Sequence, residues 1–122
     1  MKVLPISSML KKATKLFNEF IRKRDSEQPC ISCGKYHTLQ AGHYYSAGKY
    51  PELRFNEHNV NGQCKSCNYF KSGNLLEYRK NLISKIGIEA VEKLDFIADQ
   101  SKKNHWKWNA FYLTEIINKY KK

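Results

Sequence analysis

Residues 30–68 decide the fold, and they read CISCGKYHTLQAGHYYSAGKYPELRFNEHNVNGQCKSCN. Two C-x2-C pairs open and close this stretch: Cys30, Cys33, Cys64 and Cys67. Such pairs present four thiolates to one tetrahedral Zn²⁺, and Gly34 suits the left-handed turn that follows a knuckle of this kind. Two redox sites or a pair of disulfides are the alternatives. We expect a closed structural zinc site that takes no part in catalysis.

The composition is that of a small basic protein. The chain has 122 residues and a formal net charge of +11, from 22 Lys and Arg against 11 Asp and Glu. The excess lies in residues 1–25 and 101–122, whereas residues 26–100 are nearly neutral. Basic segments on both sides of a neutral middle favour a polyanionic partner, although lysine-rich ends can also serve solubility alone.

The chain length predicts a single domain with one modest core. The apolar runs are too short to span a membrane, and no apolar leader follows Lys2, so we expect a soluble intracellular protein. Three segments are predicted: a basic helix and linker over 1–29, a zinc-pinned core over 30–73, and a helical part over 74–122.

Hydrophobic periodicity predicts helices on both sides of the zinc core. Residues 7–24 place apolar side chains on one face, with Ser7 or Ser8 able to cap the start. A short helix is expected to begin at the second cysteine pair and to run through about Lys71. The fold class is therefore α+β and mainly helical, with amphipathic helices flanking a zinc-pinned ββα unit.

Three further helices are predicted after that core. Residues 75–86 form the first, with Leu75 and Leu76 on its apolar side and Asn74 able to cap it. Residues 88–98 form the second, and the last begins after Asn109 as its cap.

Three polar residues stand out against the zinc frame: His43, Asn59 and Asn68. Nine residues lie between Cys33 and His43, and Asn68 follows Cys67 directly. If zinc ties the two cysteine turns together, the strand that bears His43 returns alongside the helix that begins at Cys67. Asn68 would then face His43 across a narrow cleft.

The pattern GH…N…CxxCN, with His43, Asn59 and Asn68, resembles the HNH, or ββα-metal, nuclease motif. Its placement on a four-cysteine frame is similar to that of the endonuclease VII type of phage junction resolvase. A longer match covers about residues 10 to 96 and the ending KW…EIINKY, and it resembles the NinG/Rap family of lambdoid phage recombination proteins. The matching segments are FNEFIRKRD, QPCISCGKYHT, QAGHY, PELRFNEHN, QCKSCN, SGNLLEYR and IGIEAVEKL.

The resemblance implies a structure-specific endonuclease that cleaves branched DNA, including Holliday junctions, in the cytoplasm of the bacterial host. A neutral His43 would deprotonate the attacking water. Asn68 would offer its carbonyl oxygen to Mg²⁺ or Mn²⁺, and Asn59 would fix the loop that aims His43. Two alternatives are a non-catalytic zinc module that binds nucleic acid and a general HNH nicking endonuclease.

One position departs from the motif. Many HNH enzymes have Asp or His immediately before the base, as a second metal ligand, and here that residue is Gly42. Glu57, His58 and His43 itself are the candidates for a second ligand. The ion could instead be held mostly by waters and DNA phosphates.

The predicted DNA-binding side chains are basic: Lys12, Lys15, Arg22, Lys23, Arg54, Lys71, Lys102, Lys103 and Lys107. Trp106 and Trp108 could stack on exposed bases, but packing of the last helix against the core is the favoured expectation. We also predict a homodimer, because resolving a junction requires two cuts and one chain carries one site. Uncovered apolar faces over 10–21 and 75–97 would supply its interface, unless these helices pack on each other within a monomer.

Overall fold

A computed structural model describes residues 4–121, so the predicted segments' ends at Met1 to Val3 and at Lys122 lie outside the described residues. Within that range the order of helices and strands is α1 Ile6–Arg24, β1 Leu39–His43, β2 Val60–Cys64, α2 Leu75–Ile86, α3 Ile88–Ser101 and α4 Ala110–Tyr120. Short helical turns lie at Pro51–Leu53 and Ser66–Phe70. The predicted class, α+β and mainly helical, is confirmed. No helix within this range has the length and apolar character needed to cross a membrane.

The β-hairpin has two chemically different ends. β1 and β2 are antiparallel, with Leu39 opposite Cys64 at one end and His43 opposite Val60 at the other. We call these the cysteine end and the histidine end. Every residue of β2 is buried, so this strand lies in the interior of the molecule at both ends of the hairpin.

α1 and α4 enclose an aromatic core beside the hairpin. The ring of Phe17 in α1 meets the rings of Phe55 and Tyr120 edge-on, with centroid separations of 5.5 Å and 5.1 Å. Edge-to-face pairs add to the stability gained by burying such large apolar rings. The predicted first helix is confirmed, and its apolar face is covered within the chain by α4.

α2 and α3 form a second apolar cluster in which Tyr78 and Leu82 pack against Val91 and Leu94. Tyr78 and Leu82 are one turn apart and therefore share a helix face. The expectation that Leu75 and Leu76 lie on this face is wrong, because their side chains are 46% and 89% exposed. α2 and α3 thus cover each other within one chain, which is the packing described above as the alternative to a dimer interface.

The four long helices begin within one residue of their predicted starts, but only one of the predicted side-chain caps forms. Asn109 caps α4, since its side-chain Oδ1 accepts the N–H of Tyr112 at 2.8 Å. α1 begins earlier than predicted, and the carbonyl oxygen of Pro5, rather than a side chain of Ser7 or Ser8, accepts the first free N–H groups. Proline is suited to a helix start because its φ is already close to the helical value.

The predicted short helix after the second cysteine pair is a single wide turn. It spans Ser66–Phe70, and the N–H of Lys71 bonds the carbonyl oxygen of Ser66 five residues back at 3.0 Å. The chain then turns away because Ser72, Gly73 and Asn74 all have positive φ. Asn74 precedes α2 as predicted, but its side chain does not cap that helix.

Candidate functional site

The four predicted zinc ligands come together at the cysteine end of the hairpin. The sulfur atoms of Cys30, Cys33, Cys64 and Cys67 all lie within 4.8 Å of one another, and the four thiols are free of disulfides. A tetrahedral site with Zn–S bonds of about 2.3 Å needs sulfur atoms about 3.8 Å apart. The Sγ atoms of Cys33 and Cys64 are 3.9 Å apart. The donor set therefore fits a metal such as zinc.

Hydrogen-bond donors point at these sulfur atoms. Cys30 Sγ accepts the backbone N–H of Cys33 at 3.5 Å and that of Cys64 at 3.3 Å. Burial raises the pKa of Cys30, but these donors outweigh burial and lower the pKa to about 7. Asn74 Nδ2 lies 3.6 Å from Cys67 Sγ and donates to it. Donors of this kind favour the thiolate, which is the form that binds metal.

An open cleft of about 580 Å³ lies at the histidine end, and both His43 and Asn68 line it. The other polar side chains on its wall include those of Ser46, Lys49 and Ser72, and three tyrosines complete the wall: Tyr44, Tyr45 and Tyr50. His43 and Asn68, which were predicted to face each other across a cleft, thus line the same cleft. Their chemical roles stay predictions.

His43 is held by one hydrogen bond from its ring. Its Nε2 atom lies 3.0 Å from the backbone carbonyl oxygen of Arg54. A carbonyl oxygen only accepts, so Nε2 carries the proton and Nδ1 keeps a free lone pair. Burial lowers the pKa of His43 below its ordinary value of 6.5. The imidazole is therefore neutral at pH 7, with Nδ1 able to accept a proton.

Asn68 is oriented by the first strand. Its Nδ2 donates to the Oε1 of Gln40 at 2.9 Å, which assigns the amide nitrogen to β1 and leaves the amide oxygen Oδ1 free. An amide oxygen is a good ligand for Mg²⁺. Gln40 was not predicted as a site residue, since a lone glutamine on a short strand carries no motif.

Asn59 is fully buried and binds the chain on both sides of the loop that follows His43. Its Oδ1 accepts the N–H of Tyr45 at 2.8 Å, and its Nδ2 donates to the carbonyl oxygens of Tyr45 and Leu53 at 3.0 Å each. Asn59 therefore contacts backbone rather than the cleft. The predicted task of fixing the loop that aims His43 stays a prediction.

Gly42, the position that departs from the motif, has no room for a side chain. A Cβ atom built there would lie 2.0 Å from Gln63 Oε1 and 2.7 Å from Gln63 Cβ. The hydroxyl of Tyr78 also donates to the carbonyl oxygen of Gly42 at 2.6 Å. The buried side chain of Gln63 thus occupies the space that a metal-binding Asp or His would need.

The other two candidates for a second metal ligand lie elsewhere. Glu57 and His58 line a separate depression together with Lys119, and neither lines the cleft of His43. The carboxylate of Glu57 accepts the hydroxyl of Tyr120 at 2.6 Å and pairs with Lys119 at 3.5 Å. Within residues 4–121, the cleft wall contains no carboxylate.

Most of the predicted DNA-binding side chains are exposed. They lie along α1, after the Ser66–Phe70 turn and between α3 and α4: Lys12, Lys15, Arg22, Lys23, Lys71, Lys102, Lys103 and Lys107. Arg54 differs, because it is half-buried and its Nε donates to Thr14 Oγ1 at 3.2 Å. Trp106 and Trp108 pack on each other and on Tyr112, as the favoured expectation has it.

A network of hydrogen bonds behind the cleft was not predicted from the sequence. Asp95 on α3 accepts two bonds from Arg79 on α2, at 3.0 Å and 2.8 Å, and a third from the hydroxyl of Tyr45 in the cleft wall. Arg79 also donates to the hydroxyl of Tyr44 at 3.1 Å. The bonds from Arg79 lower the pKa of Asp95 and keep it ionised. These partners are far apart in sequence, so no local spacing signals them.

The sequence as a whole was compared with known proteins. It matches the family model described as "Bacteriophage Lambda NinG protein" over residues 1–122. Protein ninG of Escherichia phage lambda is 47% identical over 106 residues, which are 85% of this chain and 50% of the relative. Protein ninG of Salmonella phage P22 is 45% identical over 104 residues, or 84% of this chain and 50% of the relative.

Protein ninG of Escherichia phage 933W is 43% identical over 118 residues, which are 95% of this chain and 56% of the relative. The chain thus spans about half the length of the curated relatives it matches. No solved structure matches it. A family model that extends over the whole sequence, together with these identities, leads to one conclusion: the chain belongs to the NinG family of lambdoid phage proteins.

Proposed function

We propose that this protein is a divalent-metal-dependent endonuclease that cleaves branched DNA, such as Holliday junctions, in the cytoplasm of the bacterial host. One observation carries the proposal. His43 is fixed through Nε2 to the Arg54 carbonyl oxygen while the ring lines an open cleft together with Asn68. A proton acceptor for the attacking water and an oxygen ligand for a cation, both lining one cleft, fit metal-assisted hydrolysis of a phosphodiester.

His43 acts as the general base in this proposal. Its free Nδ1 removes a proton from the attacking water, and its lowered pKa keeps it neutral at pH 7. General-base catalysis contributes on the order of 10²–10⁴-fold to a rate. Asn59 acts through the backbone of the loop beside His43 and is a positioning residue.

Asn68 holds the catalytic ion through its amide oxygen. A bound Mg²⁺ or Mn²⁺ would stabilise the charge that builds on the phosphate. Because the described cleft wall has no carboxylate, waters and DNA phosphates complete the ligand set. His43 as a ligand is the less favoured arrangement, since a metal on Nδ1 would remove the base. The four cysteines hold Zn²⁺ in a structural role.

The basic surface supports DNA as the substrate. Lysine ammonium groups neutralise phosphates, release counterions and give affinity that falls with salt. Lys49 lines the cleft, and Lys71 is exposed next to the turn that carries Asn68. DNA backbone held by these side chains would lie over His43.

A cleavage assay tests the proposal. Zinc-loaded protein with Mg²⁺ is given a four-way junction and a linear duplex of the same sequence, beside His43→Ala and the exposed-histidine control His37→Ala. We expect preferential cutting of the junction, a loss of at least about 100-fold in His43→Ala, unchanged junction binding, and no effect of His37→Ala.

The other outcomes identify the alternatives. Equal cutting of junction and duplex would indicate a general nicking endonuclease. Salt-sensitive binding without any cutting would indicate a non-catalytic zinc module. Cleavage by His43→Ala at the wild-type rate would show that the base is assigned to the wrong residue.

We propose a homodimer as the active form. Resolution of a junction requires cuts in two symmetry-related strands, and one chain supplies one cleft with His43 and Asn68. A C2 pair of chains would match that symmetry. Sedimentation equilibrium at micromolar concentration, with and without junction, checks this, and a monomer in both conditions would contradict it.

A further inference from the structure

Large apolar side chains are exposed in the segment that follows Asn68. Tyr69 and Phe70 are each 73% exposed, and their rings contact each other edge-on at a centroid separation of 5.5 Å. Leu75 and Leu76 are exposed close by in sequence. We call these four side chains, two aromatic and two aliphatic, the apolar ridge. The ridge is unlike the two tryptophans, whose rings pack on Tyr112 and on each other.

The ridge is adjacent in sequence to residues of the candidate site. Tyr69 directly follows Asn68, and both Asn68 and Leu75 line the cleft that contains His43. The wide turn Ser66–Phe70 begins at the zinc-binding cysteines, so it presents the two rings from a fixed point. The two rings are thus one and two residues from a side chain of the cleft wall, within reach of a polymer that lies in the cleft.

The charges around the ridge favour DNA as its occupant. Lys65 and Lys71 are exposed on either side of the two rings, and Lys49 lines the cleft. A second copy of this face would bring lysines against lysines. A polyanion with flat apolar faces, by contrast, matches both the rings and the ammonium groups. Nucleobases expose such faces only where base stacking is interrupted.

We propose that Tyr69 and Phe70 stack on unpaired bases at the branch point of the DNA and so select branched over continuous duplex. This inference rests on the proposed function, because it names the feature by which the same site would recognise its substrate. The flanking lysines, Lys65 and Lys71, bind the phosphates next to these unpaired bases. Loss of one stacked base weakens binding by roughly 5- to 150-fold.

The test uses the full chain in a His43→Ala background, which keeps the DNA intact, and a four-way junction with 2-aminopurine at the branch. Binding should raise the 2-aminopurine fluorescence by unstacking that base. In Tyr69→Ala/Phe70→Ala the rise should disappear and junction affinity should fall by at least about fivefold, while duplex affinity stays constant. The ring-preserving variant Tyr69→Phe/Phe70→Tyr should behave as the parent.

A matched control removes an equally exposed ring elsewhere. Phe111 on α4 is 77% exposed, and Phe111→Ala should change neither readout. Equal loss of junction and duplex affinity, or an unchanged fluorescence rise in the double alanine variant, would overturn the inference. So would a change from dimer to monomer in that variant, since the ridge would then bind a second chain.

Failure of the proposed function gives a different result. The unmodified chain would then leave the junction uncut in Mg²⁺, whereas the fluorescence and affinity measurements do not depend on cutting. A fluorescence rise that requires the two rings supports the ridge even if no cleavage occurs. Cleavage of junctions at an equal rate by the unmodified chain and by Tyr69→Ala/Phe70→Ala would support the nuclease and overturn the ridge.

Discussion

The cysteine end and the histidine end of the hairpin are built by different interactions, although they are the two ends of one five-residue strand. At the cysteine end four sulfur atoms converge, and apart from Leu39 the small buried cluster there consists of the cysteines themselves. At the histidine end the loop is held by hydrogen bonds from buried polar side chains, with Asn59 and Tyr78 as the main donors.

The two ends therefore have different expected roles: the cysteine end in the stability of the fold and the histidine end in the proposed catalysis. The cysteine end has little apolar surface to bury, so we expect its order to depend on a metal ion that binds the folded form. The histidine end satisfies its own polar groups and holds His43 with one ring nitrogen free. Asn68 joins the two, because it follows a cysteine ligand and lines the cleft. Removing either end should therefore produce different losses.

The largest effect is expected at the cysteine end. Cys64→Ser should lose the metal and the cooperative fold, because structural zinc sites supply about 10–16 kcal/mol against a typical domain stability of about 5–15 kcal/mol. Elemental analysis and thermal melts by circular dichroism measure both. Ser66→Ala, an exposed change within the second pair, is the control and should keep both. A cooperative melt of metal-free Cys64→Ser would refute this.

The next effect concerns the histidine end. Asn59→Ala leaves the N–H of Tyr45 and the carbonyl oxygens of Tyr45 and Leu53 without their partner. We expect the free energy of unfolding to fall by about 2–4 kcal/mol, with zinc still bound. Urea denaturation checks the fall. Asn118→Ala removes an exposed amide and should cost under about 0.5 kcal/mol; equal losses in both variants would mean that the buried bonds contribute nothing.

A smaller effect is expected from acid. Burial holds the pKa of His43 below 6.5, and the neutral imidazole is the active form in the proposed mechanism. Cleavage should therefore persist as pH falls through 6.5 and decline about tenfold per unit only below the lowered pKa. Because the unfolded chain binds a proton at a higher pH than the fold does, stability already declines as the pH falls from 6.5 to the lowered pKa. A pH–rate profile with its acid limb at or above 6.5 would contradict the assignment.

The smallest effect lies outside both ends of the hairpin. Changing Lys102, Lys103 and Lys107 to Gln should weaken junction binding modestly and lower the salt slope by up to about one unit per lost phosphate contact. Affinities measured across a salt series test this. A matched set, Lys35, Lys80 and Lys93 to Gln, removes the same charge outside the predicted interface. If both sets change the slope equally, the predicted location of the interface is wrong.

Much of the framework follows from local spacing. The cysteine pairs, the four long helices and the cap at Asn109 are visible in the sequence because each depends on residues within a few positions of one another. The wide turn at Ser66–Phe70 and the exposure of Leu76 were not predictable in this way. The positive φ of Ser72, Gly73 and Asn74 sets the direction in which α2 starts, and no periodic pattern signals it.

The sequence by itself determined which side chains are available for chemistry: four convergent cysteines, His43, Asn68 and a basic surface. Only the tertiary structure decided how they are held. The hydrogen bond from His43 goes to the backbone carbonyl oxygen of Arg54. Because every residue has such a carbonyl, the identity of the side chain does not indicate which one accepts this bond. The Arg79–Asp95 pair behind Tyr45 likewise needs α2 and α3 folded against the loop. Contacts between distant segments form only when the chain packs, and for that reason they leave no periodic signal in the sequence.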